Sequence, residues 1–309
     1  MLHNSIIVFH QVIVMFLLMA VGFVTFRLGF FDDHTTERLS KFLNTLVMPF
    51  VMLNAFDRDF DPALARTLAL TAVAAALVFI VSILLVGRLY PANRPGSADC
   101  RLCAILSNNG FMALPLVSAM FGELGVFLAS AHIVVMTVVL WTYGVSQLDP
   151  GRKRSVKRIL LNPGVIASAL GIGLFLAPFR LPADLASAAG HMANLNTPLA
   201  MLILGGYLAQ IDLRACFTDR ALWRISAVRL LVIPAVAVVL LLWFPITVEA
   251  KLTLLVGCAA PSAIAAAMFA QMYGTDYLFS TRAVALTTIL SLVTLPGVIA
   301  LMSFLMEVI

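Results

Sequence analysis

The sequence predicts an all-α polytopic membrane protein, with ten transmembrane helices arranged as two inverted five-helix repeats. Three observations carry that prediction. Hydrophobic side chains fill 62% of the 309 positions and charged ones only 11%. A soluble domain carries about a quarter charged residues, so too little polar surface exists here to face water on all sides. The apolar runs are also long and unbroken, as at Ala69–Val86 and Leu230–Phe244. That suits helices of roughly 20 apolar residues and not the short alternating segments of a membrane barrel. Finally, the halves echo one another at a shift of 152 residues. Leu43-Asn44-Thr45 falls on Leu195-Asn196-Thr197, and Met120-Phe121-Gly122 on Met272-Tyr273-Gly274.

Polar breaks between apolar blocks give the predicted helices in order. Helix 1 is Ser5–Arg27; it lacks a basic leader and is long enough to span, so it reads as a retained helix and not a signal peptide. Helix 2 (Thr36–Phe56) stops at Asp57-Arg58-Asp59, and helix 3 (Leu64–Leu89) before Pro91. Helix 4 is Ala98–Phe121 and helix 5 is Leu124–Leu148, parted by Gly122-Glu123. Helix 6 is Leu160–Ala177, helix 7 Asp184–Ala209, helix 8 Ala221–Phe244, helix 9 Glu249–Tyr273 and helix 10 Tyr277–Met306. The expected organisation is a first repeat over 1–148, a basic cytoplasmic linker over 149–158 and a second repeat over 159–309. Each half holds an odd number of crossings, so the second must enter the bilayer upside down relative to the first. Inverted repeats of this kind characterise secondary carriers, whose sites lie at the repeat interface near the midplane.

Lys and Arg favour the cytoplasmic side. With Arg152, Lys153, Arg154, Lys157 and Arg158 placed inside, that side also gathers Arg27, Arg38, Lys41, Arg88, Arg94, Arg101, Arg214, Arg220, Arg224, Arg229 and Arg282. Only Arg58, Arg66, Arg180 and Lys251 remain opposite. The expectation is a multi-pass protein of a bacterial inner (plasma) membrane with both termini periplasmic. The formal charge of +5 then reflects topology; basic residues at helix ends, not along one face, exclude a nucleic-acid partner. Cys100 and Cys103 form a lone C-x-x-C with no second ligand pair, so neither a metal nor a cofactor is expected.

The chemistry concentrates in Ser107-Asn108-Asn109-Gly110-Phe111-Met112-Ala113-Leu114-Pro115, midway along helix 4. Asparagine and glycine are poor helix formers, and Pro115 cannot donate to the carbonyl of Phe111. At the 152-residue shift Asn109 falls on Pro261, within Gly257-Cys258-Ala259-Ala260-Pro261-Ser262 of helix 9. Helix breaks are therefore expected at Pro115 and Pro261, at one depth in both halves. Interrupted helices present N–H groups and a positive dipole end, which suit a carboxylate without a lysine. Asn108, Asn109, Gly110, Pro261 and Ser262 are the primary candidates for substrate contact. Asn44 with Thr45, and Asn196 with Thr197 and Pro198, form a second matched pair that either lines the site or joins helices. Asn54 reads as interfacial. His132 in helix 5 is the candidate proton-linked group, its alternative role being a neutral hydrogen-bonded histidine; His10 is a weaker candidate. Glu123, Glu249 and Asp276 sit at helix ends, and Arg282 can snorkel to the cytoplasmic surface. Gly164, Gly171, Gly173 and Gly205-Gly206 suit close helix packing.

Leu46–Leu53 around Pro49, Ser107–Leu116, Thr197–Gly206 and Pro261 through Thr281 resemble the auxin efflux carrier family. Phe269-Ala270-x-x-Tyr273, Ser280-Thr281 and Leu295-Pro296 extend the likeness across essentially the whole chain. The resemblance implies ten helices in two inverted repeats, with broken helices 4 and 9 crossing where an organic anion binds. It aligns Asn108 with the family's crossover asparagine and Pro261 with its second crossover proline. Plant members usually carry proline immediately before that asparagine, where this chain has Ser107. They often have a long central loop too. Both differences point to a microbial member of the malate or malonate permease type.

The functional expectation is a secondary transporter that moves small organic anions by alternating access, the carboxylate held at the helix 4/helix 9 crossover. Its partners would be a small organic anion (a mono- or dicarboxylate such as malate or malonate, or an auxin-like acid) and the lipid bilayer. Coupling to H+ or Na+ and a homodimer stay open. The alternative is a sodium-coupled organic-anion symporter of the bile-acid type. An intramembrane enzyme fits poorly, because Ser130 and His132 are two apart on one helix and do not face the same side. A membrane sensor or structural protein is the remaining class.

Overall fold

The computed structural model describes residues 2–149, 160–161, 163–177 and 180–308, and these are helical almost throughout. The expected basic linker lies, from residue 150 to 158, outside the described residues. Among the described residues, six helical segments are long and apolar enough to cross a membrane: Phe9–Arg27, Asp33–Phe56, Pro62–Leu89, Asn109–Leu148, Arg220–Trp243 and Tyr277–Glu307. Long apolar helices are the solution lipid demands, since every peptide group must be satisfied inside its own segment.

The first half opens with α1 (Leu2–Arg27). Next come α2 (Asp33–Phe42), capped by the Asp32 carboxylate, and α3 (Met48–Phe56), joined through a π-helical turn at Leu43–Val47. The long α4 (Pro62–Leu89) starts on the Asp61 side chain with proline in its first turn. It is followed by the short α5 (Ser97–Ile105), a break, a second π turn at Asn109–Ala113 and α6 (Leu114–Val139). At Gly122 the chain inside α6 takes φ 57° and ψ −142°, which turns it sharply. A third π turn (Leu140–Gly144) leads into α7 (Val145–Leu148).

The second half begins with α8 (Pro163–Leu176). α9 (Ala183–Asn194) and α10 (Asn196–Ala209) meet at Leu195. The short α11 (Leu213–Thr218) and α12 (Arg220–Ala227) start on Asp212 and Asp219. A π turn at Val228–Val232 precedes α13 (Ile233–Trp243). α14 (Val248–Ala259) is separated by a break from α15 (Ile264–Tyr273), which ends at Gly274 with φ 69°. The 32-residue α16 (Tyr277–Val308) closes the described chain.

Three of the four π turns are followed by a proline at the second position of the next helix: Pro49, Pro115 and Pro234. A proline ring clashes with the carbonyl four residues back and supplies no N–H. Widening the preceding turn to an i→i+5 pattern makes room for the ring while the helix continues.

Packing follows residue size. α1 and α10 touch backbone to backbone: a Cβ on Gly205 would overlap the Met19 carbonyl oxygen, and one on Gly22 the carbonyl of Leu202. Gly171 in α8 admits the Phe56 ring, whereas Gly173 faces open space. One apolar cluster gathers Met15, Leu43, Met52, Phe56, Phe127 and Phe175. A second gathers Leu102, Ile105, Leu222, Ile225, Leu286 and Phe269 on the other side of the breaks. Each interrupted helix contributes to both: α6 and α14 to the first cluster, α5 and much of α15 to the second.

Candidate functional site

Helix α5 ends because Leu106 turns to extended backbone (φ −81°, ψ 122°) and Asn108 follows at φ −78°, ψ 67°. α14 ends in the same way, with Ala260 at ψ 150° and Ala263 at ψ 139° on either side of Pro261. The two extended pieces meet as an antiparallel pair centred on Ser107 and Ser262. The Asn108 N–H donates to the Pro261 carbonyl at 2.8 Å, and the Ala263 N–H donates to the Leu106 carbonyl at 2.9 Å. Ser262 adds two more ties, donating from Oγ to the Cys103 carbonyl at 2.7 Å and from its N–H to Thr287 Oγ1 at 3.1 Å. Ser107, Asn108, Asn109 and Ser262 are all buried. The breaks thus satisfy one another. What they leave without intrahelical acceptors are the first-turn N–H groups at Gly110 and Phe111, and at Ile264 and Ala265.

The side chains around this crossing are only partly satisfied. Asn109 Nδ2 lies 3.1 Å from Met136 Sδ, and Ser107 Oγ is 3.5 Å from His132 Nε2. Asn108 Nδ2 and His132 Nδ1 are buried without a hydrogen-bond partner among the described residues. Ser82, Ser107, His132 and Arg229 share a small cavity of about 10 Å³ beside the crossing, close to the room one water needs.

The matched asparagines behave differently. Asn44 is exposed and donates to the Ser40 carbonyl at 2.9 Å, inside its own helix. Asn196 is buried with Oδ1 unpaired, and Thr197 is half-buried. The helix that carries them, α10, packs on both the Leu43–Val47 and Asn109–Ala113 turns. Asn54, read as interfacial, donates to Glu123 Oε1 at 3.0 Å.

The sequence misplaced Arg229. Counted there among the cytoplasmic rim, it is instead 1% exposed, at the start of the π turn before α13. Its Nε donates to the Ala260 carbonyl (2.9 Å), one terminal nitrogen to Ala104 (3.0 Å) and Ile105 (3.2 Å), and the other to Cys258 (2.6 Å). These acceptors are the last carbonyls of α5 and α14, the orphan ends of both half-helices. A buried charge is costly without partners, and here backbone dipoles supply them. Among the described residues no carboxylate pairs with it. Asp99 was also missed: it is buried and accepts from Thr275 Oγ1 (2.6 Å) and the Asp276 N–H (3.3 Å). A signal existed for both, since each lies within a few residues of an apolar run, but a charge near a helix end reads as solvated.

A larger cavity of about 530 Å³ opens among α2, α10, α15 and α16. Asp33, Glu37, Tyr207 and Gln271 line it, and it reaches Ile264 at the start of α15 and Thr288. Its size is that of a small-molecule pocket. Asn108, Asn109 and Ser262 are not part of its wall.

The fold is that of a helical membrane protein with two interrupted helices crossing. The chain belongs to the auxin efflux carrier family that its motifs resemble, described as membrane transport protein, whose sequence model matches residues 7–157 and 152–299. It is 25% identical to an uncharacterized transporter of Methanocaldococcus jannaschii over 92% of this chain and 95% of that one. Similarity to an uncharacterized transporter of Methanothermobacter thermautotrophicus reaches 30% over 63% of this chain and 65% of the relative. A Rhizobium meliloti protein named provisionally as a malonate transporter is 23% identical over 92% of both chains.

Proposed function

We propose that this protein is a secondary carrier for small organic anions, mono- or dicarboxylates of the malate and malonate kind. It would work by alternating access in an inner membrane, with the substrate carboxylate held at the crossing of the interrupted helices. The observation that carries this reading is the buried antiparallel contact between Ser107 and Ser262. Beyond it begin two first turns, at Gly110-Phe111 and at Ile264-Ala265, whose N–H groups lack intrahelical acceptors and whose dipole ends are positive. The Asn108 amide, buried without a partner, adds a donor that a carboxylate would satisfy. The relative from Rhizobium meliloti supports malonate as the first compound to try.

Ten crossings in two inverted repeats are part of the same proposal. Gly122 and Gly274, 152 residues apart, both hold positive φ where a second half-helix ends. Neighbour relations pair up as well: α1 packs on α10 while α3 packs on α8, and α6 packs on α14 while α5 packs on α16. An exchange of helices 1 to 5 with 6 to 10 turns each of these pairs into the other. The two family matches also part at 152–157. On this reading residues 1–148 and 159–309 are the repeats, the linker is cytoplasmic and both termini are periplasmic.

The test is a counterflow screen in proteoliposomes, with unlabelled mono- and dicarboxylates inside and one labelled acid outside. Saturable uptake that depends on the internal acid is expected, with malonate among the active compounds. Correctly inserted protein that exchanges none of them overturns the carrier reading.

A further inference from the structure

Where two half-helices end mid-bilayer, their last carbonyls are a ready site for a cation. In this chain that site is already filled. The carbonyls of Ala104 and Ile105 from α5, and of Cys258 and Ala260 from α14, converge on one guanidinium, at 2.6 to 3.2 Å. Arg229 reaches them from a third element, the π turn at Val228–Val232, and is 1% exposed. Among the described residues no acidic group neutralises it. The planar fork of arginine fits several acceptors at fixed angles, and the group keeps its charge. A free ion would come and go with each cycle; a tethered one stays.

We propose that Arg229 is a resident counter-cation of the crossing, occupying the carbonyl cage where an exchangeable sodium ion would otherwise sit. The inference rests on the carrier reading above and answers the coupling question within it. Anion movement proceeds without sodium at this cage. The fixed positive charge, together with the two helix N-termini, offsets the charge of the bound carboxylate. Arg229 touches backbone and not substrate, so it is a positioning residue. Its second consequence is mechanical: both breaks are held by one side chain, so α5 and α14 move with α13 or not at all.

The experiment compares purified full-length protein in sodium chloride and in choline chloride at equal ionic strength. Thermal unfolding and malonate counterflow are read for the unaltered chain, Arg229→Lys and Arg229→Gln. The unaltered chain is expected to show the same midpoint and the same exchange in both salts. Arg229→Lys keeps the charge and is expected to retain sodium independence with reduced exchange. Arg229→Gln empties the cage: exchange in choline falls at least tenfold, and sodium raises the unfolding midpoint of this variant alone. A midpoint or exchange rate of the unaltered chain that rises with sodium overturns the proposal. So does full exchange by Arg229→Gln in choline. If Arg229→Gln does not insert, the salt comparison on the unaltered chain and on Arg229→Lys still decides. Absence of malonate exchange in both salts would strike the carrier reading instead, and the unfolding midpoints would then judge the cage alone.

Discussion

Few residues carry the polar chemistry of this chain, and each has a physical reason for its place. Asn108 uses its backbone on both sides: the N–H goes to Pro261, while the carbonyl accepts from Met112 and Ala113. Its side-chain amide nitrogen is left over, buried and unpaired among the described residues, a cost of about 1–3 kcal/mol that a structural role does not explain. Asp99 shows the opposite arrangement. Its two oxygens take the Thr275 hydroxyl and the Asp276 N–H, which ties the start of α5 to the turn between α15 and α16. Asp99→Ala should therefore destabilise the protein by about 2 kcal/mol, more than an ordinary surface change, as measured by the thermal unfolding midpoint in detergent. A midpoint unchanged from the parent would mean that this tie contributes nothing. Arg229 is the residue least readable in the sequence. Nothing in Ala227-Val228-Arg229-Leu230 distinguishes a buried arginine from one that snorkels; only the carbonyls brought in from two distant helices do.

The helices themselves were legible because lipid as a solvent leaves a strong mark: long apolar runs ended by charge. Asparagine, glycine and proline in these apolar runs argue against continuous helices 4 and 9; the first interruption lies at Leu106–Asn108 and not at Pro115, which sits in the first turn of α6. What local sequence could not reveal was how the broken ends are satisfied. Interrupted helices were expected to present N–H groups, with no residues specified; residues 106–108 and 261–263 bond each other, and the following first turns stay open. The hydrogen-bond partner of each peptide lies more than 150 residues away, beyond the reach of any local pattern. The π turns before Pro49, Pro115 and Pro234 are local i→i+5 structures, and there the prolines were visible but not the widened turns that accommodate them. At this scale Ser262→Ala tests the crossing. It removes the Oγ bond to Cys103 and should cost about 1 kcal/mol, while exchange of malonate falls further than the lost stability explains. Loss of stability alone would make Ser262 a strut.

In the whole molecule, two apolar clusters meet at the crossing, where the polar residues Ser107, Asn108 and Ser262 form a thin seam. The 152-residue shift was readable as two tripeptides, and the positive-φ glycines that end each of the matched segments Met120–Gly122 and Met272–Gly274 give it a physical basis. Beside the seam lies one buried arginine cation against backbone carbonyls, and on the carrier proposal the two helix N-termini there receive the substrate. The central claim is that a carboxylate rests on that seam. It is tested most directly by malonate counterflow in proteoliposomes made with the parent chain and with Asn108→Ala at equal inserted amounts. Because the Asn108 amide nitrogen has no partner to lose among the described residues, the variant should fold and insert as the parent does, with an unfolding midpoint equal or higher. The account predicts that its exchange falls at least tenfold; exchange equal to the parent's would contradict it.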